Sequence, residues 1–332
     1  MLDTSVSQLF GMRNRVINGD MRIDQRNAGA AVTLSTTNAF PVDRWFGYED
    51  TDGVMTAQQD SSAPAGFNNS LKITTTTADA SLSATQFASL QHLIEGLNLV
   101  DLAWGTASAK AATLTFSVRS SLTGTFGAAL VNSDGTRSYP FTYTISAADT
   151  WESKTVTVPG DTTGTWNKTT GIGLRIRFGL GVGSTYSGTA GAWAGSNLFS
   201  VTGATSVVGT LNATWYVTGV QVEVGSTGTP FEYRDYGREL AMCYRYYYRC
   251  STRPLGVTLN VSDGYSAVLS FPVPMRANPL LDSGATYTVG SGSAGTVQII
   301  ANGTDAVRMN NSAANWTVNV TVAVTAGFSA EL

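Results

Sequence analysis

The 332-residue sequence predicts an all-β protein: a jelly-roll sandwich, then a short helix, then a second, smaller β-sandwich. Three observations predict it. Runs of alternating residues recur between turn dipeptides, as in Thr113-Leu-Thr-Phe-Ser-Val-Arg119, and period two is the mark of a strand with one buried face. Charged residues make up only 13% of the chain, about half the usual share. Gly, Thr, Ser and Asn take their place, and these favour strands and turns. Finally, the stretch from Trp215 to Arg249 interrupts the pattern: a strand is ended by Gly225-Ser-Thr-Gly-Thr-Pro230, and Glu239-Leu-Ala-Met-Cys-Tyr-Arg245 switches to helix-forming residues.

A chain of this length suits two domains. The expected division is an N-terminal docking arm over 1–13, a jelly-roll domain over 14–236, a helical linker over 237–250 and a C-terminal β-sandwich over 251–332. In the arm, Leu2, Val6, Leu9 and Phe10 recur at helical spacing, a stretch too short to be stable alone and suited to docking on another protein. Asn18-Gly19-Asp20 and Asp52-Gly53 are turns, Phe40 to Tyr48 a strand carrying Trp45, and 50–70 a polar loop with Pro64 and Gly66. Leu71 to Thr75 is a strand. Phe87 to Ile94 fits helix or strand by period, and Leu97 to Trp104 is a helical turn. Phe126 to Val131 and Arg137 to Ile145 flank a hairpin at Ser133-Asp134-Gly135; Trp151 to Val158 and Gly171 to Leu180 are strands. A Gly/Ser-rich loop over 181–195 holds Tyr186 and Trp193. From Trp215, alternation puts Tyr216, Thr218, Val220, Val222 and Val224 on one side of a strand, and Val217, Gly219, Gln221 and Glu223 on the other. Beyond the helix, strands are expected at Gly256–Val261, Tyr265–Val273, Thr286–Val289, Gly295–Ala301, Ala306–Met309 and Trp316–Val324, with hairpins at Asp263-Gly264 and Asn302-Gly303. Heptads, collagen triplets and fixed-period repeats are absent, so no long fibrous shaft is expected.

Composition excludes several function classes. The net charge of −3 gives no field to attract nucleic acid or an anionic membrane. No run of about 18 apolar residues suggests membrane insertion, and Met1 to Arg15 lacks the pattern of a secretory signal. Cys243 and Cys250 make no disulfide framework and read as small buried thiols. Asn-x-Ser/Thr triplets such as Asn167-Lys-Thr169 are a by-product of composition. One histidine, His92, excludes a multi-histidine metal site, and no Gly-x-Ser-x-Gly elbow accompanies it. Carboxylate pairs for a glycosidase can be drawn only from Asp20, Asp24, Asp43, Glu49, Asp50 and Glu95, read first as solvated acids. The glycines of 171–183 lack a phosphate-loop motif. Arg245, Arg249 and Arg253 interleave with Tyr244 and Tyr246–Tyr248 in a mix suited to packing. No cofactor is called for. An aromatic ring beside amide groups is the chemistry of sugar binding, since the ring covers a pyranose face while polar groups read its hydroxyls. Tyr186, Trp193, Trp166 and Asn167 offer it in loops; for Trp193, packing on its own domain is the competing reading.

Three motifs carry a family resemblance. Asn14-Arg-Val-Ile-Asn18-Gly19-Asp20-Met-Arg-Ile-Asp24-Gln25-Arg26 followed by Asp43-Arg44-Trp45, the Gly-Val-Gln-Val-Glu-Val-Gly strand with its Thr-Pro-Phe-Glu-Tyr-Arg turn and helix running into Arg-Tyr-Tyr-Tyr-Arg, and Phe271-Pro-Val-Pro-Met275-Arg276-Ala-Asn-Pro279 resemble bacteriophage tail-fibre and receptor-binding proteins. The strand order also resembles carbohydrate-binding jelly rolls. The resemblance implies a non-enzymatic virion protein, made in the host cytoplasm and carried on the tail or particle surface. It would act as a homo-oligomer, a trimer first, joined to other virion structural proteins by the arm and adhering to a host-surface glycan. It implies an outward-pointing C-terminal tip, where Tyr287, Asn310, Asn311 and Trp316 are further candidate contacts. Alternatives are a capsid spike or decoration protein and a glycan-cleaving tailspike enzyme.

Overall fold

The computed structural model describes residues 12–255, 257–260, 264–281, 286–289, 297–311 and 322–332. The chain parts into two units between Arg234 and Asp235.

In the first unit the strands are β1 (Val32–Thr33), β2 (Ala39–Val42), β3 (Trp45–Glu49), β4 (Val54–Asp60), β5 (Ser70–Thr77), β6 (Phe87–Glu95) and β7 (Ala112–Ser120). They continue as β8 (Gly124–Val131), β9 (Ser138–Ile145), β10 (Glu152–Val158), β11 (Ile172–Val182), β12 (Ser187–Gly188), β13 (Ser200–Val201) and β14 (Thr214–Val224). Two six-stranded antiparallel sheets, β1-β4-β5-β14-β7-β10 and β2-β3-β6-β11-β8-β9, make a β-sandwich. The chain crosses repeatedly between them, so each sheet is built from sequence-distant segments, as in a jelly roll. Alternation fills the space between. Trp45, Phe116, Phe126, Phe178 and Trp215 are buried there. Phe178 lies 5.1 Å from Phe116 and 5.4 Å from Trp215, ring centre to ring centre. The Trp215 indole donates to the Tyr143 hydroxyl at 3.2 Å, which satisfies the one polar atom it brings into the core.

Strand β14 departs from the alternation read in the sequence. Thr218 faces Ser117 on β7, but Gln221 faces Thr115, so β14 spends one residue more than its partner. This is a β-bulge, and it reverses which parity points inward. Trp215 and Val217 enter the core before it; Val220 and Val222 do so after it. Tyr216, expected on the same side as Val220, lies on the outer face against Trp151 and the Arg119 guanidinium. Gly219 makes the bulge possible: its φ is +63°, and a Cβ there would come within 2.6 Å of the Phe67 ring.

Two other expectations are corrected. The predicted polar loop over 50–70 contains β4, paired along its length with β5. Met55 and Ala57 supply its buried side, Gln59 on the same side donates to the Met21 carbonyl at 2.6 Å, and Thr56 and Gln58 point the other way. Phe40 to Tyr48 is two strands, because Asp43 and Arg44 form a tight turn with Arg44 at φ +72°. Phe87–Glu95 is a strand, and a 3-10 helix spans Gly96–Leu102, where a helical turn was expected.

In the second unit, α1 (Tyr236–Tyr244) starts at Asp235, whose carboxylate accepts from the Arg238 amide at 2.9 Å, a standard N-cap. The helix does not run through the tyrosines. It stops at Tyr244, and β15 (Tyr247–Leu255) begins inside the stretch read as a helical linker. Aromatic residues prefer a pleated surface, and β15 pairs along its length with a late strand. The further strands are β16 (Val257–Asn260), β17 (Gly264–Ser270), β18 (Leu280–Leu281), β19 (Thr286–Val289), β20 (Val297–Asn302), β21 (Ala306–Asn311) and β22 (Val322–Ser329). They form two small sheets, one of β15, β22, β18 and β19 and one ordered β16-β17-β21-β20. β16 pairs antiparallel with β17, which begins at Gly264, and β20 pairs antiparallel with β21 across Asn302-Gly303; Asp263 lies outside the described residues. Tyr246, Tyr247, Tyr248, Cys243 and Cys250 are buried. Neither cysteine is in a disulfide; one lies on α1 and one on β15. The Phe271–Pro279 motif also packs. Phe271 sits 5.9 Å from Tyr248 and 5.3 Å from Phe328, and Arg276 donates to the carbonyls of Ala330 and Glu331.

Candidate functional site

The residues that carry the N-terminal and Thr-Pro-Phe-Glu-Tyr-Arg motifs meet in space, and their work is structural. Asn14 lies along β14, donating from Nδ2 to the Val220 carbonyl at 3.1 Å and accepting from the Val222 amide at 3.1 Å. Asn18 donates to the carbonyls of Ile23 and Asp43, and its own carbonyl accepts from the Trp45 indole at 3.0 Å. A Cβ on Gly19 would stand 2.2 Å from the Val220 carbonyl oxygen, so only glycine allows this approach. Gln221 accepts from the Glu232 amide at 2.8 Å, and Glu223 accepts from the Thr229 amide and hydroxyl, both at 2.7 Å. The Arg234 guanidinium donates to the carbonyls of Asn14 and Val16 and to the Glu232 carboxylate. The network covers the outer face of β14, leaving Gln221 and Glu223 buried, and ties the two ends of the unit together.

The residues proposed for sugar contact do not form one site. Trp166 is buried and Trp193 half-buried. With Trp104 they form an edge-to-face trio with centroids 4.6, 5.3 and 5.5 Å apart. Each indole N–H is engaged: Trp193 with the Pro159 carbonyl at 2.8 Å, Trp104 with Lys110 at 2.7 Å, and Trp166 with Asp161. The Gly/Ser loop is held because Ala194 exchanges backbone hydrogen bonds with Ser138 at 2.8 and 3.0 Å. The space bordered by Trp104, Trp166, Asn167 and Lys168 is only ≈ 10 Å³, room for about one water. Asn167 turns its side chain onto Thr169. Tyr186 sits apart, edge-on to Phe87 and Phe199. Tyr287 lies on β19 and Asn310 and Asn311 on β21. Trp316 and the arm residues Leu2, Val6, Leu9 and Phe10 lie outside the described residues.

His92 is a core residue. It is fully buried beside Trp45, its Nε2 donates to the Ile17 carbonyl at 3.0 Å, and burial, with Arg44 adding, pushes its pKa well below the ordinary value. The acids considered for catalysis also hold structure. Asp43 accepts from Gln25, Asp24 from Asn27 and Gly29, Asp50 from the Phe87 amide, and Glu49 from Thr51. Among the described residues no three metal-binding side chains converge, and no helix is long and apolar enough to cross a membrane.

The candidate site is a groove of ≈ 500 Å³ on the outer face of the β14-β7-β10 part of the first sheet. That volume suits a small ligand or a few residues of a chain. Its floor is made of hydroxyls. Ser117 faces Ser153 across the β7–β10 ladder and Thr115 faces Thr155. Opposed residues lie about 5 Å apart and successive outward ones about 7 Å apart, so the floor is a small lattice of donors and acceptors. One wall is aromatic: Phe67, Phe231 and Tyr233 form a three-ring cluster with centroids 5.0 to 5.6 Å apart. Tyr233 is 58% exposed, while its hydroxyl donates to the Gly66 carbonyl at 2.9 Å. Burial, with Asp20 nearby, raises its pKa. The bulge at Gly219 seats Phe67, and Gly228 lies on the methyl groups of Thr115 and Thr155, so the 228–233 segment can rest on the sheet beside the floor. Sequence reasoning placed Thr115 and Ser117 on a strand and quoted the Phe-Glu-Tyr turn, yet missed the groove. The available signal was that the outward positions of β7 and β10 carry small hydroxyls where a solvated face usually carries charges.

No family model matches the chain, and no curated protein is similar to it in sequence. Among solved structures it is similar to the enzymatically active domain of bacteriophage CBA120 tailspike protein 4, at 11% identity and TM-score 0.33, over 64% of this chain and 21% of that one. It is also similar to a family 11 carbohydrate-binding module from Clostridium thermocellum in complex with a β-1,3-1,4-mixed-linked tetrasaccharide, at 11% identity and TM-score 0.31, over 60% and 98% of the two chains. A CBM4 structure aligns at 14% identity and TM-score 0.31, over 63% and 99%. Likeness at these scores is distant and carries no function onto this chain.

Proposed function

We propose that this chain is a non-enzymatic glycan-binding protein of a bacteriophage particle, a tail-fibre or receptor-binding protein that adheres to the host surface as a homo-oligomer, a trimer first. The observation that carries glycan binding is the groove, where an exposed aromatic wall stands over a hydroxyl floor. A pyranose ring has an apolar face and a polar rim, and the groove offers a partner to each. Among the described residues no carboxylate lines it, whereas glycoside hydrolysis ordinarily needs two; this favours holding a glycan over cutting it. The virion setting rests on the motif resemblance, with attachment to other virion proteins through the arm around Leu2, Val6, Leu9 and Phe10. Single sugar contacts are weak, so adhesion would rely on several copies acting together.

Tyr233→Ala tests the groove. The ring is largely exposed, so the melting temperature should stay near that of the parent, while affinity for a bound glycan should fall by about tenfold, the loss of one stacking contact. Thr115→Val, which keeps shape and removes a hydroxyl, should weaken binding several-fold. Glycan array and calorimetric titration measure both, and the same samples should release no reducing ends. Unchanged affinity in both variants would refute the groove.

A further inference from the structure

We infer that the groove selects uncharged saccharides over acidic ones, an inference that rests on its being a glycan site. The argument is the charge inventory of the groove and its border. Of the residues that line it, only Lys154 has a charged side chain. Lys154 does not face the floor: it pairs across the ladder with the core residue Phe116, whereas Ser153 and Thr155 pair with the outward Ser117 and Thr115. Its ammonium is held by Glu152 at 2.6 Å, and Lys154 in turn, with the Ala147 and Ser146 amides, lowers the Glu152 pKa.

Arg119, Lys72 and Asp20, which border the floor, are matched as well, and Arg13 donates to the carbonyl of the lining residue Pro230 at 2.8 Å. Arg119, next outward residue after Ser117 on β7, lies over the Tyr216 ring and pairs with Asp149 at 3.2 Å. Lys72, on the other side of Tyr216, faces Asp60 at 3.8 Å. Asp20, near Tyr233, is paired with Arg22 at 3.0 Å. An acidic sugar entering here would surrender hydration of its carboxylate or sulfate without meeting an unmatched cation on the floor, a net cost. A neutral sugar exchanges water for hydroxyl partners of the same kind, and its binding has no long-range charge component for salt to screen.

The test is calorimetry on the full chain with matched probes: cellohexaose, laminarihexaose and xylohexaose as neutral chains, and hexamers of polygalacturonate and of alginate as acidic ones. At least one neutral probe should bind, with a Kd that changes less than about twofold between about 0.02 M and about 0.5 M NaCl and rises about tenfold in Tyr233→Ala. Acidic probes should bind at least about tenfold more weakly. Tighter binding of an acidic probe that salt weakens, and that Tyr233→Ala also weakens, would overturn charge selection while leaving the groove as the glycan site. Binding of either class that is indifferent to Tyr233→Ala, or no binding by any probe, would overturn the glycan groove and this inference with it.

Discussion

Arg234→Ala should destabilise the first unit by about 3–5 kcal/mol, the usual cost of removing one partner from a buried charged network. Only 2% of the Arg234 side chain is exposed, and it serves the carbonyls of Asn14 and Val16 together with the Glu232 carboxylate. Alanine removes the guanidinium from both carbonyls and leaves the Glu232 carboxylate with the Asn14 amide at 2.7 Å but no cation. The N-terminal segment would then be held to the 230–234 segment only through Arg13, the Asn14 amide and Arg22, which weakens the cover over the outer face of β14. For a unit of this size a loss of that magnitude lowers the melting temperature by about 10 °C. Differential scanning calorimetry checks it, with Arg234→Lys expected to fall between, because an ammonium keeps the charge but not the fork of donors. A melting temperature within about 2 °C of the parent would mean that the network is dispensable and that the motif has another use.

The second large effect is at Trp193. Its replacement by alanine should cost about 3 kcal/mol, the low end for a buried tryptophan because one edge is in solvent. The change removes the edge-to-face contacts with Trp104, Trp166 and Tyr139 and the hydrogen bond to Pro159. Glycan affinity, measured below the lowered melting temperature, should be unchanged. Lost affinity with an unchanged melting temperature would instead make Trp193 a sugar platform.

These residues also mark how much could be read from the sequence. Strand β7 was legible because Leu114, Phe116 and Val118 alternate with hydroxyls and nothing interrupts the ladder. Strand β4 was not, because only Met55 and Ala57 mark its buried side, and Gln58, Gln59 and Asp60 give it the composition of a loop. The two sides read for β14 do not hold along the whole strand because alternation has no memory across a bulge; Gly219 was its one visible sign. The tyrosine run after α1 was read with the helix before it, although its strand preference is met only by pairing with a strand some seventy residues later. The Trp166–Trp193 pair was legible as an aromatic group, with packing as one of two readings of Trp193; what decides for packing is Trp104, from the turn after the 3-10 helix, and Tyr139 on β9. The groove was least legible. Phe67, Thr115, Ser153 and Tyr233 belong to four separate segments, and only the order β5-β14-β7-β10 sets them side by side.

The most direct test is a crystal structure of the protein with the tightest-binding neutral oligosaccharide. The account predicts a pyranose ring against Phe231 and Tyr233, with its hydroxyls within hydrogen-bonding distance of Ser117, Thr115, Ser153 or Thr155. A sugar seated on Trp193, on Tyr186 or on any other surface, with the groove holding only solvent, would contradict it.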